Sequence, residues 1–309
     1  MIVLYAARLS LAALHAPMSA SPTAVDTPAA QKRRLHWQSQ LVLLATVPFA
    51  GCWVALILLS IFATSGMYWI AWTALGISIA FAALVFAMRA ATAGAATTGG
   101  IFTCALYLQT PGWHTSLWPL LALFVLTYAA TRFGRARKEQ LGIAEGKRGR
   151  TASQVAANLG VGVLAGVSDI ADKIGGFPYQ RLFLVAMLAA FGEATADTVS
   201  SELGQVLGGE PRLITNFRRV APGTDGAITL IGTLTGCLAA AIVIAVGVFA
   251  LEMPRRDALF AFAAAVIGLF IDSLLGAVPE RHGWLNNDAV NTLSTLAAAV
   301  LALVAVRLF

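Results

Sequence analysis

A chain of 309 residues that is 58% hydrophobic and only 12% charged carries more apolar surface than a water-soluble fold of that length can cover, which excludes a soluble globular protein and makes a bilayer the solvent. The net charge of +6 raises the question of nucleic acid, but the basic residues stand in short segments beside apolar runs, so the positive-inside effect accounts for them and no nucleic-acid polymer is expected as a partner. Cys52, Cys104 and Cys237 fall inside apolar runs with no paired spacing, which points away from a disulfide framework or a zinc site.

The first 35 residues join a short apolar stretch broken by Arg8 to a Ser/Pro/Thr/Ala segment ending in Lys32, Arg33 and Arg34. They read as a disordered extension, or as sequence upstream of a true start at Met18. Residues 36–309 read as a single transmembrane domain, an all-α polytopic helical bundle. Apolar runs at about 41–62, 69–88, 94–109, 115–131, 152–169, 182–203, 226–250, 258–276 and 289–308 each approach the roughly 20 residues that cross a hydrocarbon core of about 30 Å. They predict about nine spans.

Charge sets the orientation. The segment from Arg132 to Arg150 holds Arg132, Arg135, Arg137, Lys138, Lys147, Arg148 and Arg150 against Glu139 and Glu145, so it is expected on the cytoplasmic side. The even number of spans before it puts the N-terminus on that side, and an odd total puts the C-terminus in the periplasm of a bacterial-type inner membrane. The loop carrying Arg212, Arg218 and Arg219 is then cytoplasmic as well.

Within that frame, polar residues gather in four places. GKRGRTAS, from Gly146 to Ser153, sets Lys147, Arg148 and Arg150 before a helix, where they either fix topology or bind phosphate. FGEATADTVSSELG, from Phe191 to Gly204, puts Glu193, Asp197, Ser200 and Ser201 on one helical stripe. A carboxylate facing hydrocarbon costs a few kcal/mol or more, so Glu193 and Asp197 should meet a cation, a polar cavity or protonation, the alternative being a polar stripe that packs helices. Asp197 sits roughly 9 Å from the helix end at helical rise, shallow enough to reach a water-soluble ligand.

The loop from Pro211 to Thr233 joins Arg218 and Arg219 to the turn Gly223, Thr224, Asp225 and Gly226. The glycines allow close backbone approach to a ligand, Thr224 or Asp225 is suited to capping the next helix, and a helix start offers N–H groups to phosphate. Arginines add forked donors. The alternative is an ordinary basic loop with a helix-start turn. FIDSLLGA, from Phe270 to Ala277, brings Asp272 within about one turn of the surface. The last helix opens with Asn286, Asn287 and Asp288 and continues through Asn291, of which one serves as the cap. Helix starts, arginines and the acids Asp197, Asp272 and Asp288 thus converge on one membrane face. Acids with bases are what phosphoryl or nucleotidyl transfer uses, with carboxylates on Mg2+ and cations on phosphate.

DTVSSELG, RRVAPGTDGAITLIGT, FIDSLLGA and NNDAVNTLST, in that order, resemble the membrane family known as domain of unknown function 92, which includes plant phytyl-phosphate kinase. Phytol and dolichol kinases are similar at greater distance, through Asp197, Gly232 with Thr233, and Asn287 through Val290. Ala196 here replaces their glycine, Ala221 a frequent proline and Asp225 a frequent asparagine. The resemblance implies a CTP-dependent, Mg2+-dependent kinase that converts an isoprenoid (phytyl or prenyl) monophosphate to its diphosphate at the cytoplasmic membrane surface. It implies Asp197, Asp272 and Asp288 as metal ligands, and Arg218 and Arg219 acting with them on the phosphates. Gly223, Thr224, Asp225, Gly226, Lys147 and Arg148 would hold the nucleotide, and Glu193, Ser201, Asn287 and Asn291 the substrate. The competing readings are a transporter or scramblase of a lipid or anionic solute, which favours broken helices, and a related CTP-using lipid transferase. Oligomeric state is open.

Overall fold

Hydrocarbon offers backbone groups no partners, so a segment that enters it must satisfy its own N–H and C=O groups, and the apolar runs therefore become helices. The computed structural model describes residues 35–142, 149–175 and 180–309; the extension before Leu35, Lys147 and Arg148 lie outside them. The helices are α1 (His36–Ser60, continued by a π-turn, Ile61–Ser65), α2 (Tyr68–Ala87), α3 (Ala93–Gln109), α4 (Leu117–Arg132), α5 (Arg135–Gln140), α6 (Ala152–Gly175), α7 (Gln180–Leu207), α8 (Leu230–Ala250), α9 (Arg255–Leu275, continued by a π-turn, Gly276–Glu280) and α10 (Asn287–Leu308). The protein is an all-α membrane bundle.

A helix stands at every expected span, but six of those described are long and apolar enough to cross a membrane: α1, α2, α7, α8, α9 and α10. Length and composition thus support six crossings among the described residues and do not establish nine. The remaining three are shorter: α3 has 17 residues with a small, polar first half (AGAATTGG), α4 has 16, and the apolar part of α6 runs from Ala152 to Ser168.

The core forms around α7. Most of this span is buried, 83% of its apolar window, against 22–44% for the other five; Val185, Met187, Leu188 and Phe191 are fully covered. Lipid-facing positions on the periphery, such as Leu44, Leu56 and Trp72, stay open to the bilayer. Small residues let α8 approach the second half of α7: a Cβ on Gly236 would lie 2.6 Å from the Ala196 carbonyl oxygen, and one on Gly232 2.6 Å from that of Ser200. Close helix packing through such positions replaces the hydrophobic drive that lipid cannot supply. Gly160 and Gly162 play the same part in α6, against Thr46 and Phe191, inside an unbroken helix.

Two polar devices hold the frame. Lys138, 1% exposed, donates from Nζ to the carbonyls of Ala130 (2.9 Å) and Thr131 (3.2 Å) and to Glu202 Oε2 at 2.5 Å, so it closes the end of α4 and ties α5 to α7. At the other end of α7, Arg181 grips the fully buried Asp257 of α9 through Nε (2.8 Å) and a terminal nitrogen (2.5 Å). Arg181→Ala strands that carboxylate and is expected to lower stability by about 3 kcal/mol, measured by chemical unfolding in mixed micelles. Adding Asp257→Ala should recover part of the loss, and equal losses in the single and double variants would remove the pair from the account.

Candidate functional site

The second halves of α7 and α9 meet the starts of α6, α8 and α10 around a cavity of about 470 Å³. Three helix starts therefore point their positive ends into one space. Asp197 of α7 and Asp272 of α9 line it and lie within interaction distance of each other, and Ser294 of α10, fully buried, donates to Asp272 Oδ2 at 3.0 Å. One turn below Asp197, Glu193 is 1% exposed and packs on Gly268, where a Cβ would sit 2.7 Å from its Cγ. Its Oε1 is buried without a hydrogen-bond partner among the described residues. The stripe predicted on this helix is thus turned inward, as the cost of a lipid-facing carboxylate requires.

Opposite the acids stands Arg150, which lines the cavity and reaches Thr198 Oγ1 at 3.5 Å. Backbone holds it there. Its N–H donates to the Ala90 carbonyl and its own carbonyl accepts from Thr92, both at 3.0 Å. The preceding Gly149 adopts φ +72° and packs so closely that a Cβ would meet the Ala90 backbone. Asn287, Asn291 and Asn158 form an amide chain along a third wall: Asn287 Nδ2 donates to Asn291 Oδ1 at 3.2 Å, and Asn291 Nδ2 to Asn158 Oδ1 at 3.4 Å.

The loop after α7 folds into a small hairpin, β1 (Arg212–Leu213) pairing antiparallel with β2 (Ala227–Ile228). Its turn brings Gly223, Thr224, Asp225 and Gly226 to the cavity. Gly226, at φ +72°, lies against the π-turn of α9, where a Cβ would collide with the Ala277 backbone. Asp225 is open to solvent at the rim, yet the protein around it pushes its carboxyl above the usual range, with Arg281 opposing.

Of the residues singled out in the sequence, Asp197, Asp272, Ser201, Gly223, Thr224, Asp225, Gly226, Asn287 and Asn291 all line this cavity. Others are placed elsewhere. Arg218 and Arg219 are exposed on the hairpin: Arg219 pairs with Glu210 at 2.9 Å, and the Arg218 N–H donates to Asn216 Oδ1 at 3.0 Å. Asp288 is buried in the first turn of α10 but does not line the cavity. One residue beyond Asn287, it is turned about 100° from the Asn287–Asn291 stripe. Among the described residues no three His, Cys, Asp or Glu side chains form a metal-holding group. Neither Thr224 nor Asp225 caps α8; Thr229 does, accepting from Gly232 at 3.0 Å, because β2 pairing with β1 delays the helix, while Thr224 Oγ1 donates to the Ala221 carbonyl at 2.7 Å. Asn286 caps α10, accepting from Ala289 at 2.9 Å.

Arg150, read in the sequence as either topology-setting or phosphate-binding, lines the cavity together with Gln154, Asn158 and Glu280, which were not singled out. For the first three the signal was available, since their spacing of four continues a polar stripe from the loop into an apolar helix. Glu280 gave none, because it stands in a π-turn that the sequence does not announce.

Residues 76–299 match the family model for the integral membrane protein DUF92. The chain is 33% identical over 186 residues to the chloroplastic protein VTE6 of Arabidopsis thaliana, an alignment covering 59% of this chain and 56% of that protein. It is 36% identical over 182 residues to an uncharacterized membrane protein of Methanocaldococcus jannaschii (59% and 72%), and 31% identical over 194 residues to one of Synechocystis (62% and 74%). The chain thus spans little more than half the length of the plant relative. No solved structure matches it.

Gly226→Ala meets two obstacles, a left-handed backbone and the Ala277 main chain, and is expected to destabilise the hairpin by about 1–3 kcal/mol. Hydrogen exchange over residues 211–228 should rise while exchange in α7 holds; unchanged protection in the hairpin would disprove the contact.

Proposed function

We propose, from the premise that this chain belongs to the DUF92 family of integral membrane proteins, that it is a kinase converting an isoprenoid monophosphate, phytyl or prenyl, to its diphosphate with CTP and Mg2+ at the cytoplasmic face of a bacterial-type inner membrane. The observation that carries this reading is the cavity in which Asp197 and Asp272, two of the five acidic residues lining it, the backbone-held Arg150 and three helix starts face each other at one end of a membrane bundle. The likeness of its motifs to a family that includes plant phytyl-phosphate kinase supports the acceptor class.

The oxygen-only donor set of Asp197 and Asp272, with the orphaned Glu193 Oε1 behind it, fits a hard cation that retains water and takes its remaining ligands from phosphate. Asp197 and Asp272 would hold Mg2+, and Asp288, turned away, would not. Bound there, magnesium neutralises charge on the phosphate oxygens. The Gly223–Gly226 turn and the start of α8 offer backbone N–H groups to the nucleotide phosphates. Arg150 takes the part first expected of Arg218 and Arg219, screening the repulsion between acceptor and donor phosphates. Asn158, Asn287 and Asn291 orient the acceptor. An acceptor oxygen attacks the γ-phosphorus, CDP leaves, and the prenyl diphosphate carries the transferred group. A phosphate oxygen is already ionised, so positioning and neutralisation suffice without a strong base.

A transporter or scramblase is disfavoured by the unbroken course of α3 and α6 through their glycines, since transporter sites are usually built on interrupted helices. The deciding experiment supplies reconstituted protein with CTP or ATP, Mg2+, and phytyl, farnesyl or geranylgeranyl monophosphate. Diphosphate with release of CDP is expected, release of pyrophosphate would indicate cytidylyl transfer instead, and no turnover with any pair would overturn the reading. Asp197→Asn and Arg150→Ala should each lower kcat/KM on the order of 100-fold or more in protein that remains folded. The double variant Arg218→Ala, Arg219→Ala should stay within about threefold, as exposed cations do when they contribute only steering.

A further inference from the structure

A second cavity, of about 110 Å³, opens among α2, α3, α4 and α6, and it shares Arg150 and Asn158 with the first. Its wall is apolar, formed by Val85, Ala95, Gly99, Leu120, Leu123 and Phe124. Its mouth is cationic. Arg89 stands there in a left-handed backbone, φ +54°, a conformation that costs a non-glycine residue and that structure must hold in place. Arg132 hangs over the Tyr128 ring, 5.0 Å from its centroid, and donates to the Met88 carbonyl at 3.0 Å. Thr131, also lining the cavity, has a buried Oγ1 without a hydrogen-bond partner among the described residues.

Toward the bilayer, α2 and α4 meet through an aromatic contact rather than through small residues: Phe81 and Phe124 lie edge to face at 5.3 Å, and Phe124 stacks on Tyr128 at 5.7 Å. Leu84 and Val125, exposed on the same two helices, face hydrocarbon beside it. Aromatic rings can swing aside on their χ angles, whereas the Gly-to-backbone contacts of α7 with α8 cannot open without moving helices. This is the side from which an apolar chain can enter.

We infer that this slot holds the hydrocarbon chain of a single-tailed anionic lipid, with its phosphate at Arg150 and Asn158 facing the polar cavity and its tail leaving between Phe81 and Phe124 into the bilayer. Two properties favour that occupant over a neutral or two-tailed lipid: the cations lining the slot complement a phosphate, and a slot this narrow, bordering the polar cavity at Arg150 and Asn158, admits one chain. The identity of the acceptor as an isoprenoid monophosphate rests on the kinase reading; the slot itself does not.

The test uses the full chain in nanodiscs with a diazirine-bearing farnesyl monophosphate. Crosslinks are expected on residues 81–99 and 120–132, competed by geranylgeranyl monophosphate and much less by geranylgeraniol. In parallel, Gly99→Leu fills the slot from a position whose nearest neighbour, Phe81 Cε1, would lie 3.5 Å from the new Cβ; Thr127→Leu does so from the opposite wall should the first variant fail to fold. Either should lower the ratio of kcat/KM for farnesyl over isopentenyl monophosphate by about tenfold or more. Labelling of this slot in a protein that turns nothing over would uphold the inference and sink the kinase. Turnover with labelling on the outer faces of α8 or α10, or an unaltered chain-length ratio in a folded variant, would overturn the slot and leave the kinase standing.

Discussion

A carboxylate cannot be left facing hydrocarbon, and among the acids that this protein carries in its candidate membrane-spanning helices, Glu193, Asp197 and Asp272 are gathered at one place. Everything else in the architecture answers that constraint. Helix α7, which carries two of the acids, is wrapped on nearly all sides, and the glycines of α8 bring a helix start directly against its second half. The result is an internal polar space whose walls are acids, amides and helix N-termini, enclosed by helices whose outer surfaces meet lipid.

The loops around this space are fixed by main chain rather than by long side chains. Gly149 lies on the Ala90 backbone and Gly226 on that of Ala277, so a basic residue and a phosphate-sized turn are each set at a defined distance from the acids. Such contacts require the absence of a Cβ and a left-handed backbone together, and they give loops the placement accuracy of helices. Lys138 extends the same logic to the bundle, because one buried ammonium ends α4, anchors α5 and reaches Glu202 on α7.

Helix positions and the acidic stripe were legible in the sequence because they rest on hydropathy and on a spacing of four, both local. Crossing number was less so: α3 and α4 have the apolar character of spans without the length or uniformity. Charge alone did not show which arginine the fold turns into the cavity. Arg218 and Arg219 sit in the right loop, but hairpin pairing turns them to solvent, whereas Arg150, one of several cations in a run, is singled out only by backbone bonds to a segment 60 residues earlier. Asp288 lies off the cavity wall for a rotational reason, one residue being a quarter turn or more around a helix. Glu280 depended on a π-turn, and Thr229 replaced Asp225 as a cap because strand pairing, a long-range event, delayed the helix.

Arg150 and Asn158 border both cavities, so one guanidinium is within reach of an anion in either. An anion arriving from either side partly discharges it for the other. Whatever two ligands these chambers take, their affinities are then linked through that cation, and by thermodynamic reciprocity each must alter the other's binding by the same factor. On the proposed function, a lipid in the narrower cavity would thereby register at the nucleotide's side without any helix having to move.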